Sequence, residues 1–178
     1  RIGVVWQVAR SRELRRVELS YAGYSMAEYA IWLAILIYAF GDGGVSRTGQ
    51  IATMMLVAGV VAAPFASFAG DRFRPGRALA IGYGIQAVTL AGTALAMQLD
   101  TPAATYVGAV AISAAFTFTR PVIAALLPQV ARRPADLVGA NVVIQLLADL
   151  GMFLGPLTAA GLLVVSGPGT VLGVYSVV

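Results

Sequence analysis

The chain has no cysteine and no histidine, and all twelve of its basic residues are arginine. Without thiols or imidazoles it has no disulfide, no thiol nucleophile and no zinc site of the Cys/His kind. The lysine-free basic set fits a GC-rich bacterial genome. Charge of either sign is scarce, at 11% of the 178 residues. An ordinary soluble domain carries about 25%. No pair of carboxylates is spaced for hydrolytic acid–base work, so the chain is not expected to be an enzyme or to hold a metal or cofactor. No cleavable secretion signal is expected either, because the first apolar run lies behind an arginine-rich stretch and lacks a small-residue cleavage site.

What is abundant is apolar surface. Hydrophobic residues make up 59% of the chain and mean hydropathy is +0.83. A span of the bilayer needs about 20 apolar residues, because the hydrocarbon core is about 30 Å thick and a helix rises about 1.5 Å per residue. Five runs meet that length, at 19–40, 50–70, 78–99, 103–131 and 138–166, and a sixth starts at 170. Short segments rich in Gly, Pro and charge separate them, at 41–49, 71–77, 100–102, 132–137 and 167–169. The runs are too long for strands and do not alternate. The expected fold is therefore an all-α, polytopic transmembrane helix bundle of five spans plus part of a sixth. It occupies residues 19–178 and follows a cytoplasmic segment, 1–18. That segment reads equally well as an amphipathic interfacial helix or as a solvated lead-in. A start at Arg1 and an end at Val178 within an apolar run are read as the ends of a fragment.

Arginine placement sets the expected orientation. With the N-terminus inside, Arg1, Arg10, Arg12, Arg15, Arg16, Arg72, Arg74, Arg77, Arg132 and Arg133 are cytoplasmic and Arg47 alone is outside. Such a bias is the positive-inside pattern. It accounts for the pI of 9.9 without nucleic acid, for which no basic surface interleaved with aromatics is present. Gly82-Tyr-Gly84-Ile-Gln-Ala87 matches a dinucleotide fingerprint only on paper, since no strand precedes it.

Three charges interrupt the spans: Glu28, Arg120 and Asp149. A charge near the bilayer centre costs at least about 2.5 kcal/mol, so those that are kept mark function or a pairing. Counted along their helices, all three lie about 14 to 17 Å from the cytoplasmic boundary. Each sits in a polar stripe at helical spacing. The stripes are Tyr21, Ser25, Glu28 and Trp32; Ser113, Thr117 and Arg120; and Asn141, Gln145 and Asp149. The expected arrangement pairs Arg120 with Asp149 and leaves Glu28 to carry a proton, with Gln145 and Asn141 along the same pathway. Structural ion pairs are the alternative.

Two further motifs stand out. The loop Ser67-Phe-Ala-Gly-Asp71-Arg72-Phe-Arg74-Pro-Gly76-Arg77 resembles the signature loop of the major facilitator superfamily, between its second and third spans. Ser67 replaces the usual leading glycine, and one extra residue precedes Gly76-Arg77. Gly151-Met-Phe-Leu-Gly155-Pro156-Leu-Thr-Ala159-Ala160 resembles the antiporter motif of drug–proton exporters, with Ala159 and Ala160 where glycines are usual. Arg120-Pro121, the segment 131–141 and Glu28-Tyr-Ala-Ile-Trp resemble the macrolide-efflux-like, actinobacterial branch of that superfamily.

The resemblance implies the N-terminal half of a twelve-span secondary transporter in the bacterial inner membrane, completed by a C-terminal half of the same chain. It implies proton-coupled export of a small amphiphilic molecule by alternating access, as in multidrug-resistance efflux antiporters. The expected partners are the lipid bilayer, protons and that small-molecule substrate. Asp71, Arg72, Gly76 and Arg77 are then a cytoplasmic gating latch, or else mere topology anchors. Gly151 and Gly155 permit close helix approach while Pro156 bends the helix. The reading from another class is a membrane module of a signalling or regulatory protein without transport.

Overall fold

The computed structural model describes residues 12–72, 75–130 and 134–177. Every element among them is helical: α1 (Arg12–Arg72), α2 (Pro75–Gln98), α3 (Pro102–Val130), α4 (Pro134–Val165) and α5 (Pro168–Tyr175). Each of α2 to α5 opens on a proline, whose missing N–H is one of the unpaired donors of a first turn and whose φ is already helical. The first four helices contain segments long and apolar enough to cross a membrane: Glu18–Phe68, Gly76–Gln98, Pro102–Leu126 and Leu137–Val165. Their outer faces are apolar too, with Val60, Val88, Val107 and Phe153 all more than 70% exposed. Water does not tolerate so continuous an apolar surface, and lipid requires one.

The nine-residue separator expected at 41–49 is absent. Helix α1 runs from Arg12 to Arg72 and leaves helical geometry only at Gly43 (φ −157°, ψ 23°) and Gly44 (φ 63°, ψ −155°). Ser46, Arg47 and Thr48 take part in regular turns, Thr48 Oγ1 donating to the Gly44 carbonyl at 3.0 Å. Polarity in the sequence marked the place, but two residues suffice for the reversal. The N-terminal lead-in is helical from Arg12 and continuous with the first arm. Residues 1–11, where the amphipathic reading mostly falls, lie outside the described residues.

Contacts along α3 show that the chain turns back at this break. Glu28 meets Arg120 and Asp42 meets Tyr106, so the first arm, 12–42, is antiparallel to α3. Ser113 bonds to Met55 and Thr117 lies against Gly59, so the second arm, 45–72, is parallel to it. Gln86 against Thr119 and Thr93 against Gly108 make α2 antiparallel to α3. Ser25 against Ala148 and Ala30 against Gly155 make α4 parallel to the first arm. Successive passes thus alternate in direction. The buried core draws on both arms, α3 and α5, with Ile31, Ile35, Ile51, Met55, Ile112 and Leu172 fully enclosed, and α5 packs on α2 and α1.

The reversal depends on Gly44, whose positive φ an L side chain adopts only with strain. Gly44→Ala is expected to cost about 1 kcal/mol, whereas Gly49→Ala, in regular helix with open space around it, is expected to be neutral or slightly stabilising. Thermal unfolding in detergent measures both. Equal melting temperatures for the two variants would contradict the strained turn.

Candidate functional site

The charged centre of the bundle is built by the first arm and α3. Arg120 Nη2 donates to Glu28 Oε2 at 3.0 Å, across 92 positions of sequence. The pairing expected from the sequence, Arg120 with Asp149, is therefore incorrect. Asp149 instead accepts from Gln145 Nε2 at 3.1 Å, one turn earlier on its own helix. The reason is azimuth. The α4 face that meets the first arm is the small-residue face carrying Gly151, Gly155 and Ala159, all buried. Asn141, Gln145 and Asp149 point away from it and are exposed. Asn141 satisfies its own amide on the Leu137 carbonyl at 2.9 Å.

Two of the three charges share a level and the third does not. Glu28 and Arg120 are level, as their contact requires. Asp149 falls level with Ser25, which lies between Ala148 and Gly151, so it sits about 5 Å nearer the arginine-rich end than Glu28. The polar stripe of the first arm is split between two neighbours. Ser25, 2% exposed, donates to the Ala148 carbonyl on α4 at 3.2 Å, while Glu28 faces α3. The α3 stripe is shared out along α1. Ser113 Oγ donates to the Met55 carbonyl at 2.6 Å, Thr117 lies against Gly59, and Arg120 holds Glu28.

Around the pair is an open cleft of about 460 Å³ between the two arms and α3. Its lining includes Tyr24, Glu28, Trp32, Gly59, Phe116 and Arg120. The two charged side chains contribute unequally, with Arg120 54% exposed and Glu28 20%. Tyr24 is buried and anchors the floor, its hydroxyl donating to the Phe116 carbonyl at 2.9 Å while its ring packs on Phe116. Pro121, next to Arg120, lacks the N–H that would bind the Thr117 carbonyl, which loosens α3 at this level. Among the described residues, no group of three or more His, Cys, Asp or Glu side chains could hold a metal ion.

The Gly151/Gly155 motif is a helix-contact surface. A Cβ at Gly155 would fall 2.6 Å from the Met26 carbonyl oxygen, and one at Gly151 would fall 2.8 Å from the Ser25 backbone carbon. Pro156 follows inside the continuous helix α4. The loop between α1 and α2 is shorter than the sequence of 71–77 implies. Asp71 and Arg72 belong to the last turn of α1 and Gly76 and Arg77 to the first turns of α2. Arg77 is exposed, and the side chains of Asp71 and Arg72, on which the latch turns, lie outside the described part.

Sequence reasoning missed two polar clusters. Gln86 is buried and donates from Nε2 to Thr119 Oγ1 at 2.6 Å and to the Ala115 carbonyl at 3.2 Å, tying α2 to α3. An amide standing alone in an uncharged run was the available signal. At the Gly43–Gly44 end, Tyr106 donates to Asp42 Oδ2 at 2.6 Å. Arg47 lies 3.6 Å from the same oxygen and over the Tyr106 ring at 5.6 Å. Nothing in the spacing of these three residues announced the cluster.

Compared with protein-family models, with curated proteins and with solved structures, the chain matches none.

Proposed function

We propose that this chain is the N-terminal half of a major-facilitator-type secondary transporter in the bacterial inner membrane, with its N-terminus inside. In this reading the two arms of α1 and helices α2 to α4 are five crossings, and α5 begins a sixth. The protein exports a small amphiphilic molecule in exchange for protons, by alternating access between this half and a second one.

The observation that carries the reading is the Glu28–Arg120 pair, fronting an open cleft between apolar helices. A pair enclosed on all sides could not meet a solute, and full enclosure would add a desolvation cost. Here a guanidinium stands half exposed among apolar helices, which suits a site that meets a solute. The partly exposed Trp32 ring and the apolar lining from the second arm suit the apolar part of an amphiphile. The alternating directions of successive helices and the close Gly151/Gly155 packing are compatible with inverted three-helix repeats.

The test is flux in proteoliposomes under an imposed pH gradient, using a panel of cationic, neutral and anionic amphiphilic dyes. We expect gradient-driven movement of at least one dye, reduced about ten-fold or more by Glu28→Gln. Full gradient-driven flux in both Glu28→Gln and Asp149→Asn would end the proton role of these carboxylates. No flux for any dye would favour the regulatory membrane module.

A further inference from the structure

The geometry points to an anionic head group as the chemistry that the Glu28–Arg120 cleft recognises. This inference rests on the transporter reading and narrows its substrate class. A guanidinium offers five N–H donors in a planar fork and no acceptor. Arg120 commits one of them to Glu28 Oε2, and the Tyr24 hydroxyl lies within reach of another. The others have no acceptor among the described residues. The contact with Glu28 is single-pronged, so the two-pronged face that an arginine presents to a carboxylate or phosphate is not used up.

The exposure of the pair points the same way. Arg120 is the more open partner and Glu28 the more covered one, at 54% against 20%. A solute entering the cleft therefore meets the cation first. The rest of the lining adds no competing charge: the second arm contributes Met55, Leu56, Gly59, Val60 and Ala63. Asp149 on α4 is held by Gln145 on an exposed face. In the same cleft, partly exposed Trp32 offers aromatic surface to an apolar tail. A cationic amphiphile would have to approach past Arg120 to reach a carboxylate that is already paired. An anionic one takes donors that stand free.

Two sources supply this chemistry, a soluble amphiphilic acid and the head group of an anionic phospholipid. The experiment separates them. The whole protein, in nanodiscs of zwitterionic phosphatidylcholine, is titrated calorimetrically with 2-naphthylacetate, its neutral amide, and 2-naphthylmethylammonium. We expect saturable binding of the carboxylate, weakened about ten-fold or more by Arg120→Gln, and weaker binding of the amide and the ammonium. Glu28→Gln, which frees the remaining fork of Arg120, is expected to tighten carboxylate binding several-fold, and Arg120→Lys, which keeps the charge but not the planar fork, is expected to weaken it and keeps the test decisive if neither glutamine variant folds. With phosphatidylglycerol added to the discs, loss of carboxylate binding assigns the site to a lipid head group, and its persistence assigns it to a soluble acid. Both outcomes uphold the anion site. Ammonium binding equal to or tighter than carboxylate binding overturns it, as does carboxylate binding that no substitution alters. Because this is an equilibrium measurement, it is independent of flux: ammonium selectivity with intact transport sinks only the anion inference, and carboxylate binding without transport sinks only the transporter reading.

Discussion

Gly155→Leu is expected to abolish the folded protein, and Gly155→Ala to lower its stability by about 2 kcal/mol. The added Cβ would lie 2.6 Å from the Met26 carbonyl oxygen, 3.1 Å from the Ala30 nitrogen and 3.1 Å from Tyr29 Cβ. Two of these are backbone atoms inside a helix, so no rotamer change relieves the overlap and the helices must separate. Separation is costly in lipid. There the apolar tails compete equally for every helix face, and close van der Waals packing of small residues is what favours association. Gly151 is bound by the same surface, with Ser25 Cβ at 2.6 Å, and moving it would also break the Ser25–Ala148 hydrogen bond.

Gly161, two turns further along α4, has nothing within 4 Å of its would-be Cβ. Gly161→Ala is therefore the internal control and is expected to be neutral or to gain up to about 1 kcal/mol from helix propensity. Thermal unfolding in detergent, followed by far-ultraviolet circular dichroism, reads all three variants. If Gly155→Ala and Gly161→Ala melt together, the first arm and α4 are not in backbone contact.

The second large effect lies in the charged pair, and it is asymmetric. Glu28→Gln strands a guanidinium that cannot give up its proton, while Arg120→Gln strands a carboxylate that can take one and become neutral. Glu28→Gln is thus expected to be the more destabilising single change, at about 2 kcal/mol, a value below that for a fully buried pair because the Arg120 side chain is 54% exposed. The double variant Glu28→Gln/Arg120→Gln removes both charges and should be more stable than the sum of the single losses predicts, with a coupling of about 1 to 2 kcal/mol. The readout is a double-mutant cycle of unfolding free energies. A coupling near zero would mean that the contact is not held in the folded protein. A cycle between Arg120 and Asp149, whose side chain bonds elsewhere, should show none.

The residues of the first arm illustrate what was readable in advance and what was not. That 19–40 is a helix and that Glu28 and Arg120 occupy one level both follow from counting about 1.5 Å per residue. The reading of Gly151 and Gly155 as a contact face needed only their four-residue spacing. The prolines at 75, 102, 134 and 168, which open four helices, were in plain view as punctuation. These are local properties, set by a residue and its near neighbours along the chain.

Partner choice is not local. Whether Arg120 faces Glu28 or Asp149 depends on how α3 and α4 are rotated against the first arm, and that rotation is set by where small residues allow backbones to meet. The Gly151–Gly155–Ala159 face turns α4 so that Asp149 points outward, and the charge on it has no say against so much close packing. Likewise the two-residue break at Gly43–Gly44, the Gln86–Thr119 bond and the Tyr106–Asp42–Arg47 cluster bring together groups whose proximity depends on helices being docked. The sequence by itself determined helix content, the apolar runs and the shared level of Glu28 and Arg120. Only the tertiary structure decided which charges meet and which face a cleft, because azimuth between helices is a property of the packed bundle and of no single segment.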